Sequence, residues 1–252
     1  MGSRPRSRTG LTKFQWRVTK DVGKAIHHYS MLKQGDRILV GLSGGKDSTS
    51  LLKILHDRLE WLPIEYTLVA MHIVGIGPCM EKVDVDGLGS YCESIGVDFL
   101  IRKPDIDEPA PGKSRCWWCS WNRRKALFKA CSELGCNKLA LAHHMDDIVE
   151  TLLLNMFWHG EISTMPPKVE MFKGRMTLIR PLALVTESRM VRYAKESAFP
   201  VKLHTCAFGA MNERGFVKKL VSDAARENPK MKKNLFRAME RLKDNVKVDY
   251  LV

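Results

Sequence analysis

Apolar and polar positions along the chain alternate between two periods. Residues 14–31 carry apolar side chains at helical spacing: Phe14, Val18, Val22, Ala25, Ile26 and Tyr29. Residues 37–42 are then almost continuously apolar and end at Ser43-Gly44-Gly45, which predicts a buried strand followed by a sharp turn. The alternation repeats. Helices are predicted over 47–59, 85–95, 116–134, 146–157 and 187–197, and strands over 66–72, 96–101, 138–142 and 177–179. Residues 105–114, rich in proline and acid, read as a loop. Strands separated by single helices imply an α/β, doubly wound parallel sheet of five strands covered on both faces. In the order 3-2-1-4-5 the loops after the first and fourth strands face each other beyond the carboxyl ends, where such folds bind ligands.

Three sections are expected: a basic N-terminal segment (1–24), a catalytic domain (25–200), and a C-terminal segment (201–252) holding a third-cysteine loop and a basic, amphipathic closing helix. Residues 1–24 hold seven basic residues and one acid, and residues 213–249 eleven basic and six acidic ones. In the latter, Leu235, Phe236, Met239, Leu242 and Val246 keep helical spacing. That basic face serves equally as a solvated surface or as an arm facing RNA.

With 44% hydrophobic and 27% charged residues the composition is that of a folded protein, which excludes extensive disorder. No apolar run approaches the roughly 18 residues of a membrane span, and the first residues lack the apolar core of a signal peptide. A cytoplasmic location is expected. There the seven cysteines would be reduced thiols or metal ligands. The net charge of +13 points to a polyanionic partner, for which nucleic acid is the natural class.

The chemistry concentrates after the strands. Residues 43–48 read SGGKDS. The two glycines let the backbone close around an anion, the following helix offers free N–H groups, Ser43 and Ser48 add hydroxyls, and Lys46 adds charge. This is not a Walker A loop: three residues separate Gly41 from Gly45, and Asp47 stands where Ser or Thr would. A carboxylate beside phosphates calls for a divalent cation between them, so Asp47 is the candidate Mg²⁺ ligand. After the fourth strand comes His143-His144-Met145-Asp146-Asp147, with Glu150 and Thr151 following. Asp146 is expected to cap the helix, and Asp147 to act on the nucleotide or its metal. Arg180, just past the fifth strand, fits either a phosphate contact or a structural ion pair. The expected nucleotide-binding set is Leu42, Ser43, Gly44, Gly45, Lys46, Asp47, Ser48, His72 and His143, with Lys46, Asp47 and Asp147 as catalytic candidates.

Cys116 and Cys119 form a CxxC at a loop-to-helix junction, close to Lys113, Arg115, Arg123, Arg124 and Lys125, a field that favours thiolates. Trp117, Trp118 and Trp121 stand beside it as possible partners for bases. A redox pair, a zinc site completed by Cys206 and His204, and a [4Fe–4S] cluster on Cys116, Cys119 and Cys206 all remain open on spacing. Cys79, Cys92, Cys131 and Cys136 show no pairing pattern and read as structural thiols.

The SGGKDS string resembles the PP-loop of the ATP-pyrophosphatases, and residues 143–151 resemble the HHxDDxxET segment of tRNA-modifying members. With the CxxC, the Met165-Pro166-Pro167-Lys168 turn and Ile179-Arg180-Pro181-Leu182 in the same order, residues 20–245 resemble the tRNA 2-thiocytidine synthetase (TtcA) family. The resemblance implies ATP- and Mg²⁺-dependent thiolation of an anticodon-loop cytidine in tRNA. It also implies a [4Fe–4S] cluster on Cys116, Cys119 and Cys206, a sulfur donor such as a cysteine desulfurase or sulfide, and a possible homodimer. The chain departs from the family pattern after the second strand, where Met71-His72-Ile73-Val74-Gly75 lacks the usual acid, and in the spacing around Cys206. A related 2-thiouridine synthase, or an RNA-binding zinc protein on the same fold, are the alternative readings.

Overall fold

The computed structural model describes residues 10–74, 83–106, 115–200 and 213–243. Its elements in chain order are α1 (Lys13–His28), β1 (Asp36–Gly41), α2 (Lys46–Arg58), β2 (Tyr66–Ile73), α3 (Val85–Ser94), β3 (Asp98–Arg102), α4 (Arg115–Glu133), β4 (Lys138–Ala140), α5 (Met145–Trp158), β5 (Lys168–Met171), β6 (Met176–Ile179), α6 (Glu187–Ser197), α7 (Glu213–Glu227) and α8 (Met231–Lys243). The sheet order is β3-β2-β1-β4-β6-β5. All neighbours are parallel except β5, which pairs antiparallel with β6.

The doubly wound sheet therefore has six strands and a mixed edge, rather than five parallel strands. The strand expected fifth is β6. The added β5 follows Pro166-Pro167 and is joined to β6 through Phe172, Lys173 and Gly174, all at positive φ (52°, 58° and 82°). An antiparallel edge strand needs only such a short turn, whereas a parallel one would need a crossover.

Strand side chains divide by twos, as the pleat requires. Ile38, Val40, Leu68 and Ala70 pack with α1, α2, α3 and α6 in one core, while Leu39, Val69 and Met71 pack against α4 in a second. A third cluster joins Met145, Ile148 and Val149 of α5 to Val217 and Val221 of α7 and Phe236 of α8. The C-terminal stretch is thus two helices, parted near Pro229, clamped onto the helix that follows β4.

The chain goes from β1 outward to β3 and returns to β4 on β1's other side. The carboxyl ends of β1 and β4 are consequently adjacent, with the loop at Ser43 facing the loop at His143. No described helix is long and apolar enough to cross a membrane.

Candidate nucleotide and RNA site

The β1–α2 loop is folded by its own hydroxyls. Ser43 N–H donates to Ser48 Oγ at 3.1 Å, and Ser48 Oγ donates to the Gly45 carbonyl at 3.0 Å. Gly44 has φ +79°, and a Cβ there would lie 2.5 Å from Val83 Cγ1, so only glycine fits. No side chain caps α2, whose N-cap is Gly45. Its first N–H groups and the positive end of its dipole therefore face the cleft, a ready anion site.

Two charges flank this loop. Lys46 Nζ lies 3.0 Å from Asp47 Oδ2 and 3.8 Å from Glu187 Oε1, and Glu187 is held in turn by Lys218 Nζ at 2.8 Å. The other Asp47 oxygen, Oδ1, is buried with no hydrogen-bond partner. An orphaned carboxylate oxygen beside a phosphate cradle suits a cation–oxygen bond, so the residues present fit a Mg²⁺–nucleotide.

A cleft of about 280 Å³ opens here, lined by the β1–α2 loop, Met71 and Ile73 of β2, Arg123 and Leu127 of α4, and Ala142, His143 and Asp147. Leu42, Ser43, Gly45, Asp47 and Ser48 all contribute to its wall. His72 does not. Because β2 alternates, Met71 and Ile73 face the cleft while His72 is buried on the other side, its Nδ1 2.8 Å from the Leu42 carbonyl. Burial, only partly offset by that bond, keeps its imidazole neutral by lowering its pKa. Its role is to support the loop from behind.

Across the cleft the two aspartates divide their work differently from expectation. The α5 N-cap is His144, whose side chain accepts from Asp147 N–H, while Asp147 Oδ2 accepts from His144 N–H at 2.9 Å. Asp146 instead accepts from the Glu187 N–H at the start of α6, at 2.8 Å, and pairs with Lys232 of α8. A carboxylate that leaves its own helix to anchor two distant ones could not be read from local spacing. The free edge of Asp147, Oδ1, meets Arg214 of α7 at 3.4 Å. Burial alone would raise the Asp147 pKa, but its interactions with His144 and His143, the backbone bond from His144 and the Arg214 charge hold it below the ordinary value.

His143 accepts from Arg180 Nε at 3.2 Å, and burial together with the Arg180 charge lowers its pKa to about 3. It is a neutral acceptor at any physiological pH. Arg180, itself pushed down to about 9 by burial and by Arg124, also donates to the Pro166 carbonyl. It braces the cleft wall, and among the described residues no carboxylate forms an ion pair with it. Glu150, 6% exposed, is pushed up to about 7 by burial and by Asp147.

Glu187, Arg123 and Arg214 were not singled out by motif, since each reaches the site from a distant segment. Of the CxxC, Cys119 lies part-exposed in the first turns of α4, at the edge of the second core. Cys116 belongs to the same helix, with its side chain outside the described residues. Cys206, His204 and Cys79 lie outside the described residues. Among the described residues no three metal-ligating side chains gather. Cys92, Cys131 and Cys136 are buried free thiols, and Cys131 donates to the Cys136 carbonyl at 3.3 Å.

Residues 13–201 match the PP-loop domain family model, three-quarters of the chain. Over 236 residues the chain is 39% identical to the tRNA-cytidine(32) 2-sulfurtransferase of Aeromonas salmonicida, covering 91% of this chain and 77% of that one. This chain belongs to the tRNA 2-thiocytidine synthetase family of PP-loop proteins. The Tolumonas auensis tRNA-cytidine(32) 2-sulfurtransferase is 36% identical over 244 residues, 94% of this chain and 80% of its own length. Among solved structures, the U34-tRNA thiolase NcsA from Methanococcus maripaludis, determined with its [4Fe–4S] cluster, has a TM-score of 0.77 at 23% identity. It covers 93% of this chain and 80% of that one, a likeness of fold.

Proposed function

We propose that this protein is an ATP-dependent tRNA sulfurtransferase that converts a cytidine of the anticodon loop to 2-thiocytidine. The observation that carries the reading is the joining, in one cleft, of an uncapped helix N-terminus, an orphaned Asp47 oxygen, and Arg123 and Leu127 of α4, the helix whose first turns hold the CxxC. Membership of the sulfurtransferase family supplies the substrate class.

The triphosphate lies along Ser43–Ser48, with Mg²⁺ on Asp47. The target base is flipped into the cleft, since its C2 is out of reach within a stack. Its O2 attacks the α-phosphorus, and the α–β bridging bond breaks to release pyrophosphate. Lys46 moves from Glu187 to the phosphates and stabilises the charge that develops there. Neutral His143, its Nδ1 already accepting from Arg180, offers its Nε2–H as a donor to the base or ribose. Sulfur then adds at C2, the C2–O bond breaks, and AMP leaves with the original oxygen. Cys116, Cys119 and Cys206 would hold a [4Fe–4S] cluster, which when bound supplies the exchangeable sulfur. The sulfur comes from sulfide, or from the persulfide of a cysteine desulfurase once an external thiol reductant has brought it to the sulfide level.

Anaerobic purification with iron, sulfide and zinc analysis tests this reading. About four iron per chain, lost in Cys119→Ala, supports it. Stoichiometric zinc without iron would leave an RNA-binding protein with a structural metal.

A further inference from the structure

The α4 tryptophans are not used by the chemistry above. Trp118 packs against the second core, but Trp117 and Trp121, one helical turn apart, are 42% and 43% exposed. Their rings are stacked, centroids 5.6 Å apart and planes within 6° of parallel. Two parallel, stacked indoles on a helix surface form a rigid apolar step.

Its location is informative. Spacing puts Trp117, Trp121 and Arg124 on one stripe of α4. Arg124 is close enough to act electrostatically on both His143 and Arg180, at the carboxyl ends of β4 and β6. Trp121 and Trp117 therefore stand about 5 and 10 Å from Arg124 along α4 toward its N-terminus, at roughly 1.5 Å per residue. Because α4 links β3 to β4 in a parallel arrangement, this N-terminal end lies at the carboxyl ends of the strands, the side on which the cleft lies. The surroundings are cationic: α4 carries five basic residues and one acid. An interface between protein copies would instead exclude charge at its centre.

We propose that Trp117 and Trp121 form a stacking platform for an unpaired base next to the one being modified, holding the anticodon loop open over the cleft. This rests on the reading that tRNA is the substrate. Base–aromatic stacking tolerates any base, so the platform fixes loop geometry without reading sequence.

The test compares the full-length protein with Trp117→Ala, Trp121→Ala and Trp121→Phe. Binding is measured for an anticodon stem-loop and for a blunt RNA duplex of the same stem, with ATP affinity as the measure of an intact fold. Each Ala variant is expected to weaken stem-loop binding about 5- to 100-fold, the loss of roughly 1–3 kcal/mol of stacking. Duplex and ATP binding should be unchanged, and Phe should restore most of the loss. Stem-loop affinity unchanged in Ala variants that bind ATP normally overturns the platform alone. So does an equal loss on duplex and loop, a Phe variant as weak as Ala, or a dimer that the Ala variants convert to monomer in sedimentation. If the unaltered protein does not bind the stem-loop, the tRNA reading falls with it.

Discussion

Lys46 has two acidic neighbours before any phosphate arrives, Asp47 at 3.0 Å and Glu187 at 3.8 Å. Both contacts are part-exposed and weak, so the ammonium can transfer to a triphosphate at little cost. Lys46→Ala is expected to lower the rate of AMP release about 10²- to 10³-fold, the usual effect of removing a group that meets transition-state charge. Unchanged turnover would remove Lys46 from the reaction. Glu150 gives a pH signature of its own. Its carboxyl releases the proton near 4.5 when unfolded but only near 7 when folded, because burial and Asp147 oppose its charge. Between those values the folded chain binds the extra proton, so stability falls as pH rises through the window. Glu150→Gln should therefore raise stability at pH 8, by on the order of 2–3 kcal/mol, and give no gain at pH 4. Urea unfolding at the two pH values measures it; an equal effect at both would show that Glu150 does not titrate.

At the scale of elements, periodicity made the sheet and its covering helices legible, because each strand is a short apolar run and each helix an amphipathic one. β5 escaped that reading. Four residues, Lys168-Val169-Glu170-Met171, after two prolines carry too little pattern to stand apart from a turn. The single closing helix expected in the C-terminal stretch is two, α7 and α8, parted at Asn228-Pro229 because proline cannot continue a helix. What local sequence could not reveal is how these helices lock the site. Lys232 of α8 pairs with Asp146, which is 1% exposed and also holds the first N–H of α6. Lys232→Met leaves that carboxylate with one partner fewer and should cost about 1–3 kcal/mol in denaturant unfolding. Adding Asp146→Asn should reduce the penalty of the first change; strictly additive effects would mean that the two side chains are not coupled.

For the whole molecule, three distant stretches converge on one crevice because the sheet reverses its order between β1 and β4. The sequence placed Ser43–Ser48 and Asp147 there from spacing and topology alone. It did not place His72 correctly, because which face a strand residue takes depends on register, and one residue decides it. Nor did it find Glu187 or Arg214, whose roles arise only once α6 and α7 are packed. The net charge of +13 acts at this scale too, drawing a polyanion to a cleft already built for phosphates. On the proposed reading, this cleft joins ATP cleavage to sulfur insertion in tRNA. The most direct measurement is nucleoside mass spectrometry of unmodified tRNA after anaerobic incubation with the iron-loaded protein, ATP, Mg²⁺ and sulfide. The expected product is 2-thiocytidine that requires ATP and vanishes in Asp47→Asn. Unmodified cytidine throughout, or thiolation that proceeds without ATP, would contradict it.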